Sequence, residues 1–300
     1  MNNTFQVRLA RAQDHQEIAN LMFFERYVHR HLDWRHPVDW LCSPFYWVLE
    51  RNSRIMAVLA CPQDHKDITW VRLFAHVGQI TTNEAWQILW EKAKSELSSQ
   101  GNITIAAITL KTWVKDLLDE AGFANDEQIV MMVWKEKKAP AWTLPETISI
   151  RTMTEDDLPA VALVDEAAFT PIWQNSLSML KQAYPQAVVA TIAEKAGRII
   201  GYQFSTASPF GAHLARLAVH PEEQKQGIAS ALISDLTSKL LAKKIEQLSV
   251  NTQSDNHRSL ALYKKRGFQE TGEEYPLYTY KFTGSEATKD EVKWDTVKMQ

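Results

Sequence analysis

Four pairs of landmarks recur along this 300-residue chain at nearly one spacing, which constrains the fold more than any single motif does. Val7-Arg8, followed by an acidic helix start at Asp14, returns 143 residues later as Ile150-Arg151 followed by Glu155–Asp157. Glu50-x-x-x-Arg54-Ile55 returns at an offset of 144 as Glu194-x-x-x-Arg198-Ile199, each reading as a hairpin turn between strand-like runs. Arg72-Leu73-x-x-His76 returns as Arg216-Leu217-x-x-His220, again at 144, and Gly122-Phe123 as Gly267-Phe268 at 145. Offsets that drift by so little argue for a tandem duplication, and two domains are the natural division of a chain this long. We read a first domain over 1–135, a linker over 136–147 with a charge run and two prolines, a second domain over 148–283, and a polar tail over 284–300.

The second copy carries a turn that the first lacks. Gln224-Lys225-Gln226-Gly227-Ile228-Ala229 lies between an apolar strand over 214–219 and an amphipathic helix from Gly227 to about Lys243. Ile228, Leu232, Ile233, Leu236, Leu240 and Leu241 step along one buried face of that helix. The first amides of a helix have no internal partner and sit at the positive end of its dipole, and Gly227 and Ala229 leave the backbone unshielded, so a diphosphate can approach. The turn has neither the G-K-[ST] ending of a nucleotide-binding loop nor a G-x-G-x-x-G pattern.

Downstream, a strand pattern over 247–252 is followed by a helix from a capping Asn256 to a terminating Gly267. Val219-x-Pro221, Q-x-x-G-x-A from Gln224, and N-x-x-S-x-x-x-Y-x-x-x-G-F from Asn256 resemble, in order and spacing, the motifs of the GNAT family of N-acetyltransferases. The resemblance covers about the last half of the chain. It implies an α/β fold of α+β type: two tandem GNAT-like domains, each a central, mostly antiparallel mixed sheet with a splayed parallel strand pair, flanked by helices. Acetyl-CoA is the implied co-substrate, with its pyrophosphate on the amides of Lys225, Gln226, Gly227, Ile228 and Ala229 beside Gln224.

The chemistry implied is direct attack of a neutral primary amine on the thioester in a ternary complex. Such a reaction needs a route for the amine's proton, a donor for the oxyanion and a proton for the departing thiolate. Tyr263 matches the family's proton donor, set against the alternative of a tyrosine capping the core between Leu260 and Phe268. Asn256 is expected to hydrogen-bond the pantetheine arm, to cap its helix, or both. Leu217, Ala218 and Val219 should offer backbone groups to the same arm. His213, 11 residues before Gln224 at the start of the strand, is the candidate base, because an imidazole titrates near neutral pH. The bland alternative is a strand-end histidine without a role. Asp165, Glu166, Phe169, Trp173 and Tyr184 fall where the fold builds its acceptor pocket, and each also suits an ordinary amphipathic helix.

The copies differ where this chemistry belongs. Gln224, Gly227 and Ala229 align with Ile80, Asn83 and Ala85, Pro221 with Val77, Tyr263 with Leu118 and Asn256 with Lys111. The first domain therefore reads as a degenerate copy without a cofactor loop. The layout is similar to that of tandem-domain members such as mycothiol synthase, where the C-terminal copy carries the chemistry.

A net charge of −3 supplies no basic field for nucleic acid, the apolar runs are too short to cross a bilayer, and residues 1–11 lack a secretory apolar stretch. A cytoplasmic protein is expected, a monomer or homodimer acting on a small-molecule or peptide amine. Cys42 and Cys61 cannot make a zinc site alone, and no metal is expected. The alternative function is a non-catalytic acyl-CoA-binding sensor or scaffold, which would bind the cofactor without needing Tyr263.

Overall fold

A computed structural model describes residues 4–282; the tail expected over 284–300 lies outside the described residues. The first half runs β1 (Gln6–Leu9), α1 (His15–Phe24), β2 (Tyr27–Arg30), β3 (Tyr46–Arg51), β4 (Arg54–Ala60), β5 (Gln63–His65), β6 (Ile68–Trp70), β7 (Leu73–His76), α2 (Thr82–Ser98), β8 (Thr104–Ile108), α3 (Thr112–Glu120) and β9 (Ala124–Trp134). The second runs β10 (Ile148–Thr152), α4 (Leu158–Ala168), α5 (Leu177–Ala183), β11 (Val189–Lys195), β12 (Arg198–Ser208), β13 (Gly211–Val219), α6 (Ile228–Ala242), β14 (Leu248–Gln253), α7 (His257–Lys265) and β15 (Gln269–Lys281).

The duplication is written into the strand registers. The β3–β4 ladder slips between Leu49 and Glu50, and the β11–β12 ladder slips between Ala193 and Glu194, 144 residues on. Ile68, Thr69 and Trp70 pair in parallel with Thr104, Ile105 and Ala106; Ala212, His213 and Leu214 pair in parallel with Leu248, Ser249 and Val250. Every one of these residues is matched at 144. Each copy also opens on the same charged clasp. Arg8 donates two bonds to Asp14 (2.7 and 3.0 Å) and one to Glu50 (2.8 Å), as Arg151 does to Asp157 (2.7 and 2.8 Å) and Glu194 (3.1 Å). In both, the aspartate also accepts the backbone N–H three residues earlier at 2.7 Å, closing the first turn of the helical segment.

The domain boundaries in sequence are not boundaries in the sheet. One ten-stranded sheet runs β10-β11-β12-β13-β14-β9-β15-β8-β6-β5, so β9 of the first copy lies against β14 of the second, and β15 of the second lies between β9 and β8 of the first. The last strands have been exchanged. A second sheet, β1-β3-β4-β7-β2, completes the first copy. The apolar cores follow the exchange. Tyr278 of β15 and Phe282, which follows the strand, are buried among Trp90, Leu117, Leu118 and Phe123, while Met132 and Trp134 of β9 are buried among Leu236, Leu248, Tyr263 and Phe268. Met179 of α5 is buried in the first copy's other core, beside Trp40 and Tyr46.

In the second copy α4 and α5 cover one face of the sheet, through Val161, Val164 and Leu180, while α6 and α7 cover the other, through Ile233, Leu236 and Tyr263. This layering sets the two approaches to the site between β13 and β14.

Candidate active site

The site begins with a bulge. On β12, Phe204 faces Arg216 and Ser205 faces Leu214, so Ala215 is extra and β13 bends at that point. Below the bulge β13 is closed onto β14. Above it the two strands diverge, and among the described residues no strand pairs with 217–219 on the β14 side. Leu217, Ala218 and Val219 therefore border the splay that their sequence positions predict. The carbonyl of Val219 accepts from the Gln224 side chain (3.2 Å), which ties the strand end to the turn above it.

That turn is the N-terminus of α6. Gly227 is its N-cap at φ +84°, and Lys225 is also left-handed at φ +64°. The first helical bond is donated by the amide of Ala231 to the carbonyl of Gly227 (3.0 Å), so the amides of 228–230 have no partner within the helix. Beneath the turn, buried Glu223 accepts from Lys195 (2.8 Å), Arg198 (2.6 Å) and Gln226 (2.9 Å). The lysine, the amide of Gln226 and the arginine together hold its carboxyl down to about 2.

On α7, Asn256 caps the helix, accepting the amide of Ser259 (3.1 Å) on its side-chain oxygen. Tyr263 is buried, packs on Phe268 at 5.4 Å between centroids, and its hydroxyl makes no hydrogen bond among the described residues. Burial raises its pKa, so it keeps its proton at neutral pH. His213 lies apart from these groups, in the closed part of the β13–β14 ladder opposite Ser249. Its Nδ1 is 2.9 Å from Ser249 Oγ, and that hydroxyl lies 3.3 Å from the carbonyl of Ala212, to which it can donate. The imidazole then donates from Nδ1 and keeps its Nε2 lone pair. Desolvation lowers its pKa, favouring the neutral form a base requires.

Two features escaped the sequence reading. The first is a buried charged network behind the bulge. Arg216 forks onto Asp165 (2.7 and 2.8 Å), donates to the carbonyl of Trp173, and places its guanidinium 3.5 Å from the Phe169 centroid; Tyr202 donates to the same aspartate. Asp165 is 0% exposed, so it works inside the protein and not at the mouth of an acceptor pocket. Phe169 and Trp173 are fixed by it. Arg216 was a landmark of the repeat, but nothing in its spacing marks the partner.

The second is Trp142 of the linker. A Cβ on Gly227 would overlap Trp142 Cζ2, and the guanidinium of Arg266 stands 4.7 Å from the Trp142 centroid. The linker thus runs across the α6–α7 face to the glycine turn. A cavity of about 670 Å³ at the other end of α6, walled by Tyr184, Val189, Lys239 and Lys243, includes none of the predicted catalytic or cofactor-binding residues.

A glycine-capped helix above a splayed, bulged strand pair, with a tyrosine-bearing helix beside it, is the arrangement that the motifs imply. Residues 151–268 match the family model described as the acetyltransferase (GNAT) family. They form a GNAT acetyltransferase domain. Across 93% of the chain, the fold is similar to a GCN5-related N-acetyltransferase from Sphaerobacter thermophilus (TM-score 0.61, 16% identity, 96% of that chain covered). It is likewise similar to a tandem GNAT protein from the clavulanic acid biosynthesis pathway (0.63, 15%, with 99% of that chain covered). At such identities the likeness is one of fold, and it extends over both copies.

Proposed function

We propose that this protein is an acyl-CoA-dependent N-acyltransferase with one active site, in its second copy, that moves acetyl from acetyl-CoA to a primary amine. The observation that carries this reading is the edge of β13 over 217–219, unpaired on the β14 side among the described residues and leading to the amides of 228–230, which have no partner within the helix. A pantetheine arm bonds to such an edge as a strand would, and the diphosphate lies on the helix terminus. Lys225, exposed beside that terminus, adds a point charge.

The amine attacks the thioester carbonyl, and the resulting oxyanion is met by backbone N–H groups at the bulge. Tyr263, neutral and buried, donates its proton to the departing thiolate, while Asn256, whose Nδ2 also reaches Gln253 Oε1 at 3.5 Å, turns a side-chain N–H to the arm. His213 is set back from the splay, so it receives the amine's proton through water. No helix among the described residues is long and apolar enough to cross a membrane, and no group of three or more His, Cys, Asp or Glu among them could hold a metal. A cytoplasmic setting and a small-molecule or peptide acceptor complete the reading.

Thiol release from acetyl-CoA across a panel of amines tests it. Turnover with at least one amine, lost in Gly227→Glu, is the expected result. Coenzyme A binding without release on any amine would make the protein a sensor instead.

A further inference from the structure

The first copy has a splay of its own, and the chain fills it. β6 pairs with β8 only over 68–70, just as β13 pairs with β14 only over 212–214. Residues 73–76 are then the counterpart of 217–220. Where the second copy leaves that edge unpaired, β2 lies along it, antiparallel, with Tyr27 opposite His76, Val28 opposite Ala75, His29 opposite Phe74 and Arg30 opposite Leu73.

The inserted strand is held at every residue but one. Tyr27 stacks on His76 (4.9 Å between centroids, 14° between planes) and meets the edge of Trp113. The carbonyl of Val28 accepts from Lys111 Nζ (3.1 Å), and Lys111 aligns with Asn256, the residue expected to hold the pantetheine arm in the second copy. Buried His29 donates from Nε2 to the carbonyl of Val71 (3.1 Å). Above the strand, α2 is capped by Thr81, whose hydroxyl accepts the amide of Glu84 (3.2 Å), so a side chain uses the donor that Gly227 leaves open in α6.

Past β2 the chain crosses to the second copy. His31 stacks on Trp70, which meets Trp173; the carbonyl of Trp34 accepts from Gln186 (2.7 Å); and Arg35 donates to Ser178 (3.2 Å).

We propose that β2 is a built-in substitute for the pantetheine arm: it is locked in the cofactor groove of the first copy, closes that groove to acyl-CoA, and makes the first domain a bracket that holds residues 173–186 of the second. The first cofactor site is thus filled as well as stripped of its loop. The inference rests on the acyl-CoA reading of the second copy only for what the groove once held. The pairing itself is independent of it.

Hydrogen exchange on the full chain, with and without coenzyme A, together with calorimetry, decides the matter. The amides of β2 should exchange as slowly as those of β4 in both conditions, with one coenzyme A per chain. Rapid exchange of β2 in the free chain, its acceleration by coenzyme A, or two sites per chain would overturn the proposal. Failure to bind any coenzyme A would defeat the acyltransferase reading, while exchange in the free chain would still judge β2. Lys111→Met should speed exchange at 27–36 and at 173–186 together, by about threefold to tenfold for one lost hydrogen bond, and leave β12 unchanged. Acceleration confined to 27–36 would remove the bracket role.

Discussion

Trp142 Cζ2 rests on the α-carbon of Gly227, at a spot where any other residue would carry its Cβ. Two separate costs therefore attend Gly227→Ala. The left-handed backbone at φ +84° charges about 1–2 kcal/mol to a residue with a Cβ, and the new methyl must push the indole away. Chemical denaturation should show a loss exceeding about 2 kcal/mol. Adding Trp142→Ala should return the steric part, leaving the two changes non-additive by about 1 kcal/mol or more. Strict additivity would mean that the indole does not sit on Gly227 in solution.

Tyr263→Phe removes a hydroxyl that bonds to nothing among the described residues, so stability and coenzyme A affinity should hold. Turnover should fall by about 10²–10⁴-fold, the usual size of a general-acid contribution. His213 offers a complementary pH test. Burial lowers its pKa, so the neutral base persists below the ordinary histidine value, and the acid limb of kcat/KM should lie below about 6.5. His213→Gln should abolish that limb. If the limb survives, the proton leaves by another route.

The glycine turn and the repeat were legible in the sequence because each answers to a local demand. A left-handed N-cap wants glycine, and matching hairpins and charged clasps repeat the same residues. The exchange of β9 and β15 was not legible, since a strand's alternation specifies which face it buries and says nothing about which neighbour it pairs with. β2 escaped for a different reason. Four residues, Tyr27-Val28-His29-Arg30, are too few to show a period, and the third owes its burial to a bond with a distant carbonyl. In the sequence Asp165 suits a surface or acceptor-side position, because its partner, Arg216, is 51 residues away. Trp142 was hidden by its place in a linker, where a lone aromatic carries no pattern.

Glu223 makes the glycine turn sensitive to acid. Its carboxyl is held at about 2, against an ordinary 4.5, by Lys195, Gln226 and Arg198, so its stabilising contribution is complete above pH 4.5 and is lost as pH falls through 2. Glu223→Gln should flatten the pH dependence of the melting temperature in that window and leave the neutral side parallel to the parent. Because Arg198 is largely exposed, added salt should shrink the difference. Identical acid profiles for the two proteins would exclude Glu223 as the cause.

Arg216→Met strands Asp165 inside the protein without its guanidinium partner, although Tyr202 and the amide of Asn175 still donate to it. Breaking a buried pair from one side costs about 3–5 kcal/mol. The loss should appear in denaturant midpoints, and Arg216→Met combined with Asp165→Asn should recover a large part of it by removing the stranded charge. If the double variant is no better than the single one, the network's value lies in placing Phe169 and Trp173, not in charge balance.

Residues 144–282 expressed alone should not make a stable domain, for reasons that the strand exchange makes specific. β14 would lose its partner β9 along all six residues from Leu248 to Gln253, and β15 would lose partners on both sides. These unpaired edges would face water, the state that invites aggregation. The core around Tyr263 and Phe268 would also lose Met132 and Trp134, both 0% exposed in the whole chain. The fragment should therefore be less soluble and melt lower than the full protein. Mixing it with residues 1–135 should restore a folded complex, because that piece supplies β9 and needs β15 in return. A monomeric fragment that melts like the whole chain would show that the exchanged strands are dispensable.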